Sequence, residues 1–106
     1  MAKSITFSTH VLDTSTGTPA PGVIVELTQA GSGSGVRGTT DTDGRLRFSE
    51  ELTTGEYELS FGLDGHFGGR PHLSDRVRLH LRLHEARHYH VPLLVSPFGV
   101  ASYRGS

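Results

Sequence analysis

The chain has 106 residues, the size of one ordinary domain, with 34% hydrophobic content and a formal net charge of -1. A charge so nearly balanced excludes the electrostatic footprint that binds nucleic acid or an anionic membrane, and the absence of cysteine excludes disulfides and thiolate chemistry. No apolar run approaches the roughly 20 residues of a membrane span, and MAKSITFSTH has no apolar h-region, so a cytoplasmic protein without a signal peptide is expected.

Fourteen glycines and five prolines predict many turns. Apolar residues recur at period 2, and no helical period is sustained. In ITFSTHVL, Ile5, Phe7 and Val11 share one face while Thr6, Ser8 and His10 share the other. DTSTGTPAPG is turn chemistry, and VIVEL, Val23 to Leu27, predicts a strand. AGSGSG predicts a flexible loop, followed by a strand through Val36 to Thr40. In TDTDGRLRF, Asp43-Gly44 predicts a hairpin turn, with Arg45 where the next strand resumes. EYELSF, Glu56 to Phe61, alternates again; GLDGHFGGRPHLSD is irregular. RVRLHLRL has the clearest pattern, with Val77, Leu79, Leu81 and Leu83 on one face and Arg76, Arg78, His80 and Arg82 on the other. HYHVPLLVS predicts a strand with Pro92 at an edge or bulge, and ASYRGS a short last one. Seven or eight short strands with regular turns predict an all-β fold, an antiparallel β-sandwich in a single domain spanning residues 1–106.

Thr39 to Glu50 nearly matches a calcium loop through Asp41, Asp43, Gly44 and Glu50. Thr39 stands where a carboxylate is wanted, however, and Arg45 and Arg47 would crowd a cation. Six of the seven histidines fall between His66 and His90. His80 and His84 read as members of a solvated cationic face, and His66 and His72 as surface residues of the irregular loop. His88 and His90 alternate with Tyr89 and Val91, so they project from the face opposite the aromatic. Such an H-x-H pair could bind zinc if His10 supplied a third ligand, but a spacing of two is weak support and no metal is expected. His10, Arg45 and His90 also make a plausible site for a carbonyl-rich or anionic substrate. Imidazole can take a proton from water, and a guanidinium can hold a planar oxygen-bearing ring bidentately.

Four blocks in register, STHVLDTSTGTPA, TTDTDGRL, HYHVPLLVSPFG and YRGS, resemble the transthyretin-related family, in its 5-hydroxyisourate hydrolase branch. The likeness covers nearly the whole chain, and YRGS is its most specific part because the hormone-carrier branch lacks it. The resemblance implies a transthyretin-like sandwich of about eight strands in two antiparallel sheets, with at most one short helix. It implies a homotetramer, a dimer of dimers with sites at the dimer–dimer interface, and no cofactor. It also implies the reaction: hydrolysis of the cyclic amide of 5-hydroxyisourate to 2-oxo-4-hydroxy-4-carboxy-5-ureidoimidazoline, in urate degradation. By the same resemblance the family's functional residues fall on His10, Arg45, His90 and the terminal Tyr103, Arg104, Gly105 and Ser106. GLDGHFGGRPHLSD is short and glycine-rich where relatives carry a helix, so a regular helix is not expected at Gly62–Asp75.

The expected mechanism has His10 and His90 positioning and deprotonating a water while Arg45 grips the substrate and stabilises developing negative charge. Tyr103 and Arg104 join in binding it. Ser106, with the chain terminus folded into the pocket, helps to orient a histidine, the substrate or the water. The alternative is a carrier that binds a small ligand in the same place without chemistry.

Overall fold

The structure is a computed structural model that describes residues 3–106. The first two residues, and with them the start of the stretch read against a signal peptide, lie outside the described residues. Eleven strands follow in order: β1 (Lys3–Asp13), β2 (Thr18–Pro19), β3 (Ile24–Gln29), β4 (Gly35–Thr39), β5 (Arg45–Arg47) and β6 (Leu52–Thr53). Then come β7 (Gly55–Gly62), β8 (Arg76–Leu83), β9 (His88–His90), β10 (Leu93–Ser96) and β11 (Gly99–Ser102). No helix occurs among the described residues.

One sheet is the antiparallel series β4-β3-β7-β8. The other is built around β1, whose 11 residues are long enough to take successive short partners along their length. β2, β5 and β6 pair with it antiparallel. β9 and β10 run parallel to it. These two parallel ladders are the departure from a purely antiparallel sandwich; β5 is the strand expected to resume at Arg45, whereas β2 lies in the stretch read as turn chemistry and β6 in one where no strand is expected. β9 and β10 are one chain run interrupted at Val91-Pro92, because proline has no N–H for the ladder. The break is stitched by Val91 N–H donating to the Ser8 carbonyl at 3.0 Å and by Thr9 Oγ1 donating to the Val91 carbonyl at 2.6 Å.

The core lies between the sheets. Ile5, Phe7 and Val11 of β1 meet Val25 and Leu27 of β3, Leu59 and Phe61 of β7, and Tyr89, Leu93 and Val95 beyond. Each comes from alternate positions of its strand, as period-2 patterning requires. On β8, Val77 and Leu83 are buried and Leu79 and Leu81 half-buried, while Arg76, Arg78, His80 and Arg82 are exposed. The fold expected from the alternation, an all-β sandwich, is therefore the fold observed.

Two local expectations change. Asp43-Gly44 does not close a hairpin. β4 pairs with β3 in one sheet and β5 pairs with β1 in the other, so this turn carries the chain across the sandwich. The other change concerns 63–75, which is a succession of turns pinned to the core rather than a surface loop. Phe67 is buried, His72 stacks on it at 5.0 Å, and His66 Nε2 donates to the buried Asp13 carboxylate at 2.8 Å. Arg70 adds a longer contact to Asp13 at 3.6 Å. Positive φ at Gly65 and Gly68, with Pro71 behind them, explains why no helix forms here.

Candidate active site

Strand alternation points Thr6, Ser8 and His10 of β1 away from the core. β9 lies along one edge, where Thr6 faces His88 and Ser8 faces His90. β5 lies along the other, where Ser8 faces Arg47 and His10 faces Arg45. Cross-strand partners share a sheet face, so three strands gather these side chains on one surface, although they come from both ends and the middle of the sequence.

The hydrogen bonds fix the rings. Ser8 Oγ sits 2.8 Å from His90 Nδ1 and 2.8 Å from His88 Nε2. His10 Nε2 lies 2.9 Å from the Asp43 carbonyl. A carbonyl only accepts, so Nε2 of His10 carries a proton, and in the neutral ring Nδ1 is the lone pair. Burial lowers the pKa of His90, and the nearby His10 and Arg45 lower it further. His88 is lowered for the same first reason, then by Arg47, His90 and Arg87. Both rings are thus neutral at neutral pH.

Arg45 is placed by the turn before it. The Asp41 carboxylate accepts the N–H groups of Asp43 and Arg45 at 2.9 Å each, and the Asp41 N–H donates to the Arg45 carbonyl at 2.9 Å. That use of the Asp41 carboxylate is also why the calcium-like spacing is only a turn. The buried Gly44 has φ of +74°, and a Cβ there would collide with the Val11 carbonyl oxygen, so only glycine suits the position. Arg45 opens onto a cleft of about 300 Å³ walled also by Ser8, Thr9, Asp41, Arg47 and His90.

The C-terminal segment reaches the same place in part. Gly105 N–H donates to the His90 carbonyl at 2.7 Å, and a Cβ on Gly105 would stand 3.1 Å from His90 Cδ2. Ser106 is the next residue and is exposed. Tyr103 and Arg104 lie apart, along a groove of about 270 Å³ with Leu79, Leu81 and Val91, and Arg104 pairs with Glu85 at 3.7 Å. A single chain therefore brings together His10, Arg45, His90 and the Gly105 backbone, and sets Tyr103 and Arg104 in a neighbouring groove.

Residues 7–105 match the HIUase/Transthyretin family. The chain belongs to that family. A 5-hydroxyisourate hydrolase of Mesorhizobium japonicum is 39% identical over 112 residues, spanning 93% of this chain and 90% of that protein. The 5-hydroxyisourate hydrolase 2 of Rhizobium meliloti is 38% identical over 120 residues and all of both chains. The structure of the 5-hydroxyisourate hydrolase of Klebsiella pneumoniae superposes with a TM-score of 0.82 at 37% identity, over 95% of this chain and 93% of that one.

Within this HIUase/transthyretin chain the surface holds residues that sequence reasoning left out of the site: Thr6, Ser8, Arg47 and His88. A signal for all four was present: Thr6 shares the polar face of its strand with His10, and His88 alternates with Tyr89 beside His90. Ser8 stands two residues before His10 and Arg47 two after Arg45, the spacing that puts strand residues on one face. Among the described residues, no three His, Asp or Glu side chains gather as a metal-binding group.

Proposed function

We propose that this chain hydrolyses 5-hydroxyisourate in urate degradation, at the cleft between β5, β1 and β9. The observation that carries the reading is the register of two ladders, which aligns His10, Arg45 and His90 on one face in a chain of this family. His90 is the base. Its neutral ring, held through Nδ1 by Ser8, presents Nε2 to a water. The water oxygen attacks the cyclic amide carbonyl, and Arg45 stabilises the negative charge that develops there. His10, with Nδ1 as its lone pair, accepts from the water or from a substrate N–H. Ser106, next to the Gly105 contact with His90, orients that ring or the water. The rival carrier would want a mostly apolar pocket, whereas Ser8, Asp41, Arg45, Arg47 and His90 line this one.

The working unit in this proposal is a cytoplasmic dimer of dimers, in which Tyr103 and Arg104 of one subunit complete the substrate pocket of another. Exposed Phe98, Val100, Leu73 and Tyr103 support an assembly, as do β8 and β11, each at the end of its strand order. Sedimentation should give four chains per particle.

The test generates 5-hydroxyisourate in place with urate oxidase and follows its ultraviolet decay. The protein should accelerate that decay, and His90→Asn should lose about 10²- to 10⁴-fold of the acceleration, the range for general-base catalysis. Decay at the spontaneous rate with the native protein would overturn the proposal.

A further inference from the structure

Ser8 has one hydroxyl proton, and its oxygen serves both His88 Nε2 and His90 Nδ1 at 2.8 Å. Thr6 Oγ1 lies 2.7 Å from the other ring nitrogen of His88, Nδ1. A neutral imidazole has one N–H and one lone pair, so these three bonds are not independent. When Ser8 donates to His88 Nε2, His88 carries its proton on Nδ1 and gives it to Thr6. His90 then donates its own Nδ1–H to Ser8, and its Nε2 is a bare lone pair. When Ser8 turns to His90 Nδ1 instead, the bonds reverse and Nε2 of His90 holds the proton. Only the first arrangement makes the cleft side of His90 basic. It is also the one that suits Arg45, the cation beside His90, because a guanidinium carries only donors and a lone pair on Nε2 can accept from it.

We infer that His88 is a positioning residue that acts through Ser8, drawing the Ser8 hydroxyl to itself and so making Nε2 the basic nitrogen of His90. The register of β9 on β1 builds this in. Thr6 and His88 are one cross-strand pair, Ser8 and His90 are the next, and the Ser8 hydroxyl bridges the two imidazoles. The charged and titratable groups around His88 are Arg47 from β5, with Arg87 and His90 from its own segment; those around His90 are His88, His10 and Arg45, with Asp41 and Arg47 on the same cleft. Burial first, and then the cations Arg47 and Arg87 beside His88 and Arg45 beside His90, keep both rings neutral, the state in which a tautomer can be specified. In the reaction, the attacking water gives its proton to His90 Nε2 as its oxygen bonds to the carbonyl carbon. The C–N bond then breaks, and the ring nitrogen takes that same proton. Ser8 and His88 end the cycle unchanged.

The kinetic half of this inference rests on the hydrolase reading; the tautomer half does not. Long-range ¹H–¹⁵N spectra of the full chain with labelled histidine, assigned with His90→Asn, should show His90 protonated on Nδ1 and bare on Nε2. Ser8→Ala should release that preference. A native spectrum with bare Nδ1 on His90 overturns the inference, whether or not the protein is a hydrolase. In turnover, His88→Leu should lower kcat about 10- to 100-fold, the loss seen when the group orienting a metal-bound histidine is removed, with KM little changed. His88→Gln should recover most of it, since the amide oxygen can accept from Ser8 while its N–H donates to Thr6. An unchanged kcat in a folded His88→Leu variant, or no recovery with His88→Gln, overturns it as well. If native protein leaves the decay of 5-hydroxyisourate at its spontaneous rate, the hydrolase reading fails and the spectra alone decide the relay.

Discussion

Arg45 stands directly opposite His10 in the β1–β5 ladder, so the two side chains rise from the same face of one sheet. The pairing is fixed at both ends: the Asp41 turn holds the Arg45 backbone, and the Asp43 carbonyl of that turn holds the His10 ring. Position and charge can therefore be separated by substitution.

Arg45→Lys keeps the cation and gives up the planar fork of donors. Because Arg45 is exposed, the fold should tolerate the change and the melting temperature should hardly move. The rate should not survive it: kcat/KM is expected to fall about 10²-fold, in line with loss of a donor aimed at developing charge. Ultraviolet kinetics and a melt on the same sample check both halves. Full activity with lysine would show that charge alone is needed at this position.

Gly44→Ala should act on the fold as well as on the site. The residue is left-handed at φ of +74°, and its carbonyl accepts the Val11 N–H at 2.8 Å, which ties the corner to β1. An alanine there carries a penalty of about 1–2 kcal/mol for the left-handed backbone, before the clash with the Val11 carbonyl is counted. At roughly 4–8 °C per kcal/mol for a domain of this size, the melting temperature should drop on the order of 10 °C. A melt within about 2 °C of native would mean that the turn is free to re-form elsewhere.

Much of this was legible in the sequence, for a physical reason. Alternation in β1 and β8 is a local property, and a strand with one dry face must show it, so the pattern alone assigns Phe7 and Val77 to the dry face and His10 to the wet one. What the sequence hid is long-range. Asp43-Gly44 has the same chemistry in a hairpin and in a corner, and only the partner of the next strand distinguishes them. Here the backbone of β5 pairs with β1, while the Leu46 side chain packs across the sandwich on Gly38 of β4. The parallel pairing of β1 with β9 leaves no local mark either, so Ser8 reads as a solvated serine until His88 and His90 arrive from 80 and more residues away. His66 looked like a surface residue because Asp13, its partner, is 53 positions distant.

That last pair sets an acid limit on stability. Burial alone would raise the Asp13 pKa, but hydrogen bonds from the Ser15 hydroxyl, the His66 ring and the Ser15 N–H outweigh it and leave the carboxyl at about 2, against an ordinary 3.8. A depressed carboxylate stabilises the fold above its unfolded pKa and loses that contribution as pH falls through the folded value. The difference corresponds to roughly 2 kcal/mol at neutral pH. Asp13→Asn should therefore be less stable than native protein by about that amount at pH 7 in urea titrations. The gap should close as pH is taken from about 4 to about 2. A gap that stays constant over that range would remove Asp13 from the account.

The pH dependence of turnover tests the electrostatics of the cleft. His90 has to be neutral to accept a proton. Burial first, then His10 and Arg45, lower its pKa from the ordinary 6.5. The acid limb of kcat/KM, which reports the free enzyme, should accordingly have its midpoint below 6.5. Arg45→Gln removes one cation that opposes protonation of the ring, so the limb should move upward, toward the ordinary histidine value, in whatever activity remains. Direct NMR titration of the His90 ring follows the same shift without needing turnover. Added salt should move the native limb in the same direction but less, because screening is weaker for a half-buried group than for an exposed one. A limb centred above 6.5 in native protein, or one that Arg45→Gln leaves in place, would separate His90 from the guanidinium and take the role of base from it.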